Sequence, residues 1–257
     1  MRSAKSRRFS ARYIANRSRP RFFTSRDHGV NRHRLCQVPD RLKDPLLTAL
    51  TIMLAILMFV VAPLQAMGLL AAHHFGIAFA LVLIVAVFAV SGSLIAVAAT
   101  LVAVALIFVA TVLRLRQPSL FDVYLDAGAW MMTGLTLGIV VTRAVFAPGR
   151  VTLHRVIGAV LLYLSIALSF MALFCFVALT MPDAFSGLGP LQDNLALASK
   201  LIYFSFVTLT SVGYGDIIPV HPLARSLANI EAIIGQLYPA TLLARLVTLE
   251  LEGRHGR

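Results

Sequence analysis

Long apolar runs, separated by short polar or proline-containing breaks, follow one another along this chain from about residue 45 onward. A helix that crosses the hydrocarbon core of a bilayer needs about 20 apolar residues, because each residue adds about 1.5 Å of rise. Runs of nearly this length cover residues 46–70, 75–90, 93–113, 120–142, 156–180 and 223–249. The pattern predicts an all-α integral membrane protein, with a kink in the first span at Pro63.

Composition supports a membrane location, because 59% of the 257 residues are apolar whereas soluble domains hold about 45–50%. Positive charge is concentrated at one end: 13 of the 23 lysines and arginines lie within residues 1–43, opposed there only by Asp27 and Asp40. We expect residues 1–44 to form a disordered cytoplasmic tail that touches anionic lipid. An organelle transit peptide and an upstream extension from a misassigned start codon stay open as alternatives. Nucleic acid is not an expected partner, because a lone basic tail carries little specificity.

The most specific sequence lies in a short segment between the last two spans. Residues 182–194 are polar, and residues 197–210 form an apolar segment too short to cross a bilayer. The end of that segment and the residues after it read Thr208-Leu209-Thr210-Ser211-Val212-Gly213-Tyr214-Gly215-Asp216. Glycine lets a chain adopt dihedrals that other residues avoid, and a loop of the TVGYG type offers backbone oxygens that replace the water shell of K⁺.

The stretch from Tyr203 to Asp216 resembles the pore helix and selectivity filter of the potassium channel family. The resemblance implies a pore helix at about 197–210, a filter at 211–215 and an inner helix at about 223–249. It implies that K⁺ is a permeant ion bound by backbone oxygens, without a cofactor. The implied ion-binding residues are Thr210, Ser211, Val212, Gly213, Tyr214 and Gly215, with K⁺ held at Ser211, Val212, Gly213 and Tyr214. Most relatives carry threonine where this chain has Ser211, whose hydroxyl would add the innermost ring.

The resemblance also implies residues that support the filter. We hypothesise that Tyr203 donates a hydrogen bond to Asp216 and so ties the pore helix to the outer mouth. Thr208 lies at the C-terminal end of the pore helix, where partial negative charge favours a cation. Tyr214 is expected to point away from the ions and brace the loop. Some relatives carry a carboxylate behind the filter where this chain has Val207, so that arrangement is absent.

Three residues of the last span are candidates for gating and electrostatics. The resemblance implies that Gly235 is a hinge of the inner helix, with close helix packing as the alternative role. Pro239, one turn later, adds a second bending point. Two roles stay open for Glu231: raising the cation concentration in the pore cavity, or pairing with Arg225 or Lys200.

Together these features predict a basic tail at 1–44, four transmembrane helices within 45–147 and a pore domain at 148–257. Four spans before residues 143–155 place that arginine-containing loop and both termini in the cytoplasm. Arg114 and Arg116 then face outward, where Asp122 and Asp126 are close enough in sequence to pair with them. Composition rich in alanine, valine, leucine and arginine favours a bacterial inner membrane as the location.

One filter per chain cannot close a ring, so the resemblance implies a homotetramer. We expect weak or no voltage gating, because residues 120–142 lack the spaced arginines that let a field contribute about 2.3 kcal/mol per charge at 100 mV. The competing interpretations are a potassium-uptake subunit, a class with four filter-like loops per chain, and a pore that does not conduct or conducts Na⁺ equally. We expect no enzyme, because no nucleophile–base set, metal-ligand spacing or phosphate loop stands in a fitting context.

Overall fold

The computed structural model describes residues 40–69, 80–85, 87–88, 93–116, 119–146, 153–181, 183–189 and 194–255. Seven numbered α-helices lie within these ranges: α1 Asp40–Ile56, α2 Ala62–Ala66, α3 Leu94–Arg116, α4 Leu120–Val145, α5 Leu153–Thr180, α6 Asn194–Leu209 and α7 Pro222–His255. Residues 80–85 and 87–88 are also helical. Two short strands, β1 Phe185–Ser186 and β2 Ile218–Pro219, pair antiparallel. The predicted all-α membrane fold is confirmed, and most of the predicted basic tail lies outside the described residues.

Four of the described helical segments are long and apolar enough to cross a membrane: Leu47–Ala66, Leu94–Arg114, Leu120–Arg143 and Val156–Thr180. They correspond to the first, third, fourth and fifth predicted spans. Much of the predicted second span, 75–90, lies outside the described residues. The predicted sixth span lies in α7, which has 34 residues and is longer than expected. Helix α7 is less apolar than the four membrane-spanning segments, because it carries polar side chains such as Glu231 and Arg245.

Pro63 shapes the first span through a local change of helix type. Residues Leu57–Val61 form a π-helical segment between α1 and α2, and Pro63 lies at the start of α2. Proline has no N–H to donate to the carbonyl four residues earlier, and its ring crowds that carbonyl, here Phe59. A π-turn widens the helix at that point and accommodates the ring. The Phe59 ring in this segment packs against Phe206 of α6, with ring centroids 4.6 Å apart.

Helix α5 occupies the centre of the fold. Leu161, Leu168 and Phe174 on this helix are fully buried. Phe174 lies edge-on to two other aromatic rings, at 4.9 Å from Phe204 of α6 and 5.8 Å from Phe185 of β1. Aromatic pairs in this arrangement contribute about 0.5–1.5 kcal/mol beyond their buried area. The cluster therefore fixes α6 and the β1 strand to α5.

An ion-pair cluster joins the end of α3 to the start of α4. Arg114 Nε lies 3.2 Å from Asp122 Oδ2, and Arg114 Nη2 lies 3.2 Å from Asp126 Oδ2. Asp122 also accepts the backbone N–H of Ser119 at 2.7 Å, which satisfies a donor at the helix N-terminus. The prediction is confirmed for Arg114, which pairs with both aspartates, whereas no ion pair found among the described residues includes Arg116.

The far end of α7 is attached to the end of α4. Arg245 donates from Nη2 to the carbonyl oxygen of Phe146 at 2.6 Å, and its guanidinium lies 5.0 Å from the centroid of the Phe146 ring. Phe146 caps the C-terminus of α4, where the helix dipole favours a positive charge. This contact fixes the last part of α7 against the helices that precede it.

Candidate functional site

Helix α6 is too short to cross a bilayer. Its 16 residues span about 24 Å at 1.5 Å per residue, less than the hydrocarbon core of a bilayer. Leu201, Phe204 and Ser205 are buried on the side of the helix that faces the rest of the chain. Lys200 donates from Nζ to the carbonyl oxygen of Leu188 at 2.5 Å, which attaches the first half of α6 to the β1 segment. The helix therefore has a fixed direction, with its C-terminal end pointing at residues 211–215.

The backbone of residues 211–215 alternates between left-handed and ordinary conformations. Ser211, Gly213 and Gly215 have φ of +57°, +60° and +79°, whereas φ is not positive at Val212 and Tyr214. In an extended strand successive carbonyls point in opposite directions, and reversing the sign of φ at every second residue turns them to one side. Nothing lies within 4 Å of a Cβ added at either glycine. The glycines are therefore required by the backbone conformation and not by lack of space.

The 211–215 loop begins directly on the end of α6. The carbonyl oxygen of Val207 accepts the N–H groups of Val212 and Gly213, at 3.0 and 3.3 Å. The carbonyl of Thr208 accepts the N–H of Ser211 at 2.9 Å. These bonds use helix-end carbonyls that have no partner within the helix. The start of the loop is therefore continuous with α6, and any movement of the helix end is transmitted to it.

Thr210 and Leu209 complete the helix end. Thr210 donates from its hydroxyl to the carbonyl of Phe206 at 2.6 Å, so this hydroxyl bonds back to the helix. The carbonyl of Leu209 accepts the hydroxyl of Tyr163 of α5 at 3.3 Å. Tyr163 in turn stacks on Tyr238 of α7, with ring centroids 5.9 Å apart. Side chains from α5 and α7 therefore support the point where α6 becomes the loop.

Gln236 contacts the first residue of the loop and was not singled out from the sequence. Its Nε2 donates to the hydroxyl of Ser211 at 2.9 Å. A single glutamine in a long helix carries no sequence pattern that marks such a contact. The bond fixes the rotamer of Ser211, the residue that lacks the methyl group of the usual threonine.

The outer end of the loop packs against the second half of α6, at Tyr203. The rings of Tyr203 and Tyr214 are parallel within 4°, with centroids 6.4 Å apart. The pKa of Tyr203 lies above its ordinary value, because the phenol is partly desolvated and lies close to the acidic side chain of Asp216. Tyr203 and Asp216 line one surface depression. The structure thus places Tyr214 and Asp216 beside Tyr203 of α6.

Gly187 lies at the outer mouth and, like Gln236, was not singled out from the sequence. It has φ of +90°, and a Cβ added there would overlap the carbonyl oxygen of Asp216. The pairing of β1 with β2 brings these two segments side by side. Because the glycine precedes α6 and Asp216 follows the loop, only the folded chain reveals that they touch.

Gly235 lies where α7 crosses the end of α6. A Cβ added at Gly235 would overlap the carbonyl oxygen of Leu209. Helix α7 runs without interruption from Pro222 to His255, through Gly235 and Pro239. Pro239 lacks the N–H that would bond to the carbonyl of Gly235, so one turn has a missing hydrogen bond. The geometry accounts for Gly235 by close helix packing, and its role as a hinge stays a prediction.

Both roles predicted for Glu231 are wrong. Its side chain is fully buried within the single chain, so it does not face a cavity. Neither predicted cation pairs with it: Lys200 binds the carbonyl of Leu188, and Arg225 donates from Nε to the carbonyl of Pro219 at 3.0 Å. Glu231 instead contacts the hydroxyl of Ser205, with Oε1 at 2.5 Å. The register of α7 turns this residue toward α6, which the sequence pattern of α7 did not indicate.

A non-spanning helix that ends in a loop with left-handed backbone at alternate residues, between two long helices, resembles the pore region of pore-loop ion channels. Residues 150–251 match the family model described as "Ion channel". The chain is 41% identical over 56 residues to Protein LctB of Bacillus caldotenax and 40% identical over 55 residues to Protein LctB of Geobacillus stearothermophilus. The matches cover 22% and 21% of this chain, and 41% and 40% of the relatives. No solved structure matches.

Proposed function

We propose that this chain forms a potassium-selective channel in which four identical subunits surround one pore. The observation that carries the proposal is the 211–215 loop, whose sequence and alternating φ values together suit a row of inward-facing carbonyls. Carbonyl dipoles replace the hydration shell of K⁺ in such loops. Residues 211–214 would supply successive rings of oxygen, and the hydroxyl of Ser211 would add the innermost one.

Exposure within one chain supports assembly. Val212 and Tyr214 are 53% and 72% exposed, although the loop is otherwise anchored to α6. Ile233 and Leu237 on α7 are each 58% exposed. One copy of the loop provides only one side of an ion path, so neighbouring copies are needed to close it. We place both termini and the basic tail in the cytoplasm, with the tail on anionic lipid of a cell membrane.

The proposal is tested with the full-length purified chain in liposomes. We expect K⁺ efflux to collapse an imposed gradient while Na⁺ does so far more slowly, and chemical crosslinking to give species up to a tetramer. Equal fluxes of K⁺ and Na⁺ would contradict selectivity. A crosslinked series that stops at a dimer would contradict the four-subunit ring and would favour a different pore architecture.

Replacing Tyr203 with phenylalanine is expected to shorten conduction during sustained opening, because the hydrogen bond hypothesised between Tyr203 and Asp216 could not form. One hydrogen bond to a charged group contributes about 1.5–3 kcal/mol, so we expect the decay of current to be about tenfold faster or more. Bilayer recordings under a maintained gradient measure this decay. Tyr124→Phe on α4, where Tyr124 packs on Phe176 at 6.1 Å, is the matched control. Unchanged decay in Tyr203→Phe would exclude the tie to Asp216.

A further inference from the structure

Glu231 is a carboxyl group in an unusual place. It is the tenth of the 34 residues of α7, its side chain is fully buried, and α6 packs directly against it. Its Oε2 is buried without a hydrogen-bond partner. Leaving a buried ionised carboxylate without a cation costs far more than burying a neutral acid. No cation pairs with Glu231 within the part of the chain that the structure describes. The conduction path proposed above makes no use of this residue.

The contacts around Ser205 determine which atom carries the hydrogen. Ser205 Oγ lies 2.9 Å from the carbonyl oxygen of Ala167 and 2.5 Å from Glu231 Oε1. A serine hydroxyl has one hydrogen and a backbone carbonyl has none to give. If Ser205 donates to Ala167, the second contact needs its hydrogen from Glu231. Both contacts are hydrogen bonds only when Glu231 is a protonated acid.

The position of Tyr163 agrees with a protonated Glu231. Tyr163 of α5 is a titratable group that faces Glu231, and its hydroxyl donates to the carbonyl of Leu209. Its hydrogen is therefore directed to the helix end and not to the carboxyl group. With a neutral acid, the Oε2 atom without a partner is a carbonyl-type oxygen, which costs less to bury than a carboxylate oxygen.

We propose that Glu231, as a neutral acid, is a positioning residue for the 211–215 loop. It donates to Ser205, and Ser205 donates to Ala167, so one ordered chain of hydrogen bonds joins α7, α6 and α5. Ser205 lies one turn before Leu209, the last residue of α6. The chain of bonds therefore holds the end of α6 at the depth and rotation from which the loop begins. The proposal rests on the proposed channel function for its electrical readouts and not for its spectroscopic one.

The test compares two replacements of Glu231 in the full-length channel. Glu231→Gln keeps a neutral side chain with an N–H donor, so we expect selectivity and open durations to remain within about twofold of the parent. Glu231→Leu keeps similar volume but removes the donor, and we expect the K⁺/Na⁺ permeability ratio or the mean open duration to fall about tenfold. Tetramer stability, measured in parallel by thermal unfolding, separates a misplaced loop from a misfolded protein.

Ser205→Ala provides a second, independent variant, with Ser199→Ala on the same helix as its control. If the bonds act as one unit, the double variant Glu231→Leu with Ser205→Ala should lower the permeability ratio or the mean open duration little more than either single variant does. The infrared band of a protonated carboxyl group should be present in the parent and absent in Glu231→Gln. This band does not depend on conduction, so its presence in a protein without selective flux would contradict the proposed function and leave the bond assignment intact.

Three outcomes would overturn the proposal. The first is Glu231→Gln failing as severely as Glu231→Leu while the tetramer stays folded, which would mean that a charged carboxylate is needed. The second is full selectivity and open duration in Glu231→Leu. The third is the absence of the protonated-acid band in the parent protein.

Discussion

Replacing Gly213 with alanine is expected to abolish potassium-selective conduction while the helices stay folded. Gly213 has φ of +60°, and a left-handed backbone costs an alanine about 1–2 kcal/mol. In the proposed tetramer four loops carry this cost around one ion path. No atom lies within 4 Å of the added Cβ in one chain, so the strain comes from the backbone itself. The loop can relieve it by rotating a peptide, which turns a carbonyl away from the ions. Flux of K⁺ and Na⁺ into liposomes measures the loss.

Gly68 offers a matched control for this experiment. It has φ of +72°, and an added Cβ likewise meets nothing within 4 Å, but it follows α2 and lies outside the loop. Gly68→Ala carries the same kind of backbone strain and should keep selective flux. Two results would refute the prediction: normal selectivity in Gly213→Ala, or an equal loss in Gly68→Ala, which would point to a general effect of strain on folding.

Replacing Gly235 with alanine is expected to destabilise the pore module. The new methyl group would overlap the carbonyl oxygen of Leu209, and that oxygen belongs to the helix end where the loop begins. Overpacking of a close contact costs about 1–3 kcal/mol, and α7 can relieve it only by moving away from α6. We therefore expect a lower melting temperature and loss of selective flux together. Thermal unfolding of the detergent-solubilised protein and liposome flux measure the two effects.

Gly128→Ala on α4 is the matched control for Gly235, because its added Cβ would lie 3.8 Å from the ring of Phe176, an ordinary contact. That variant should unfold at the parent temperature. The two roles of Gly235 predict different results. A hinge residue that is not tightly packed would give Gly235→Ala an unchanged melting temperature and an altered open probability, and this outcome would contradict the packing account.

The features that sequence analysis identified are those that neighbouring residues encode by themselves. An apolar run of bilayer length predicts a membrane helix without knowledge of its partners, since lipid surrounds it wherever it lies. The chemistry of residues 211–215 is equally local, because it depends on the backbone dihedrals of consecutive residues, which two glycines and their neighbours largely fix. The same holds for Pro63, whose missing N–H acts four residues away.

The tertiary structure alone decided what the polar residues of α7 do. Glu231 meets a serine 26 positions earlier in the chain, and Gln236 reaches a hydroxyl 25 positions earlier. Such contacts depend on the rotation of α7 about its axis, and a shift of one residue turns a helix by about 100°. Sequence therefore identified the membrane helices and the 211–215 loop. The packing of α7 against α6 decided that Glu231 is buried between helices and that Gly235 leaves room for a carbonyl oxygen.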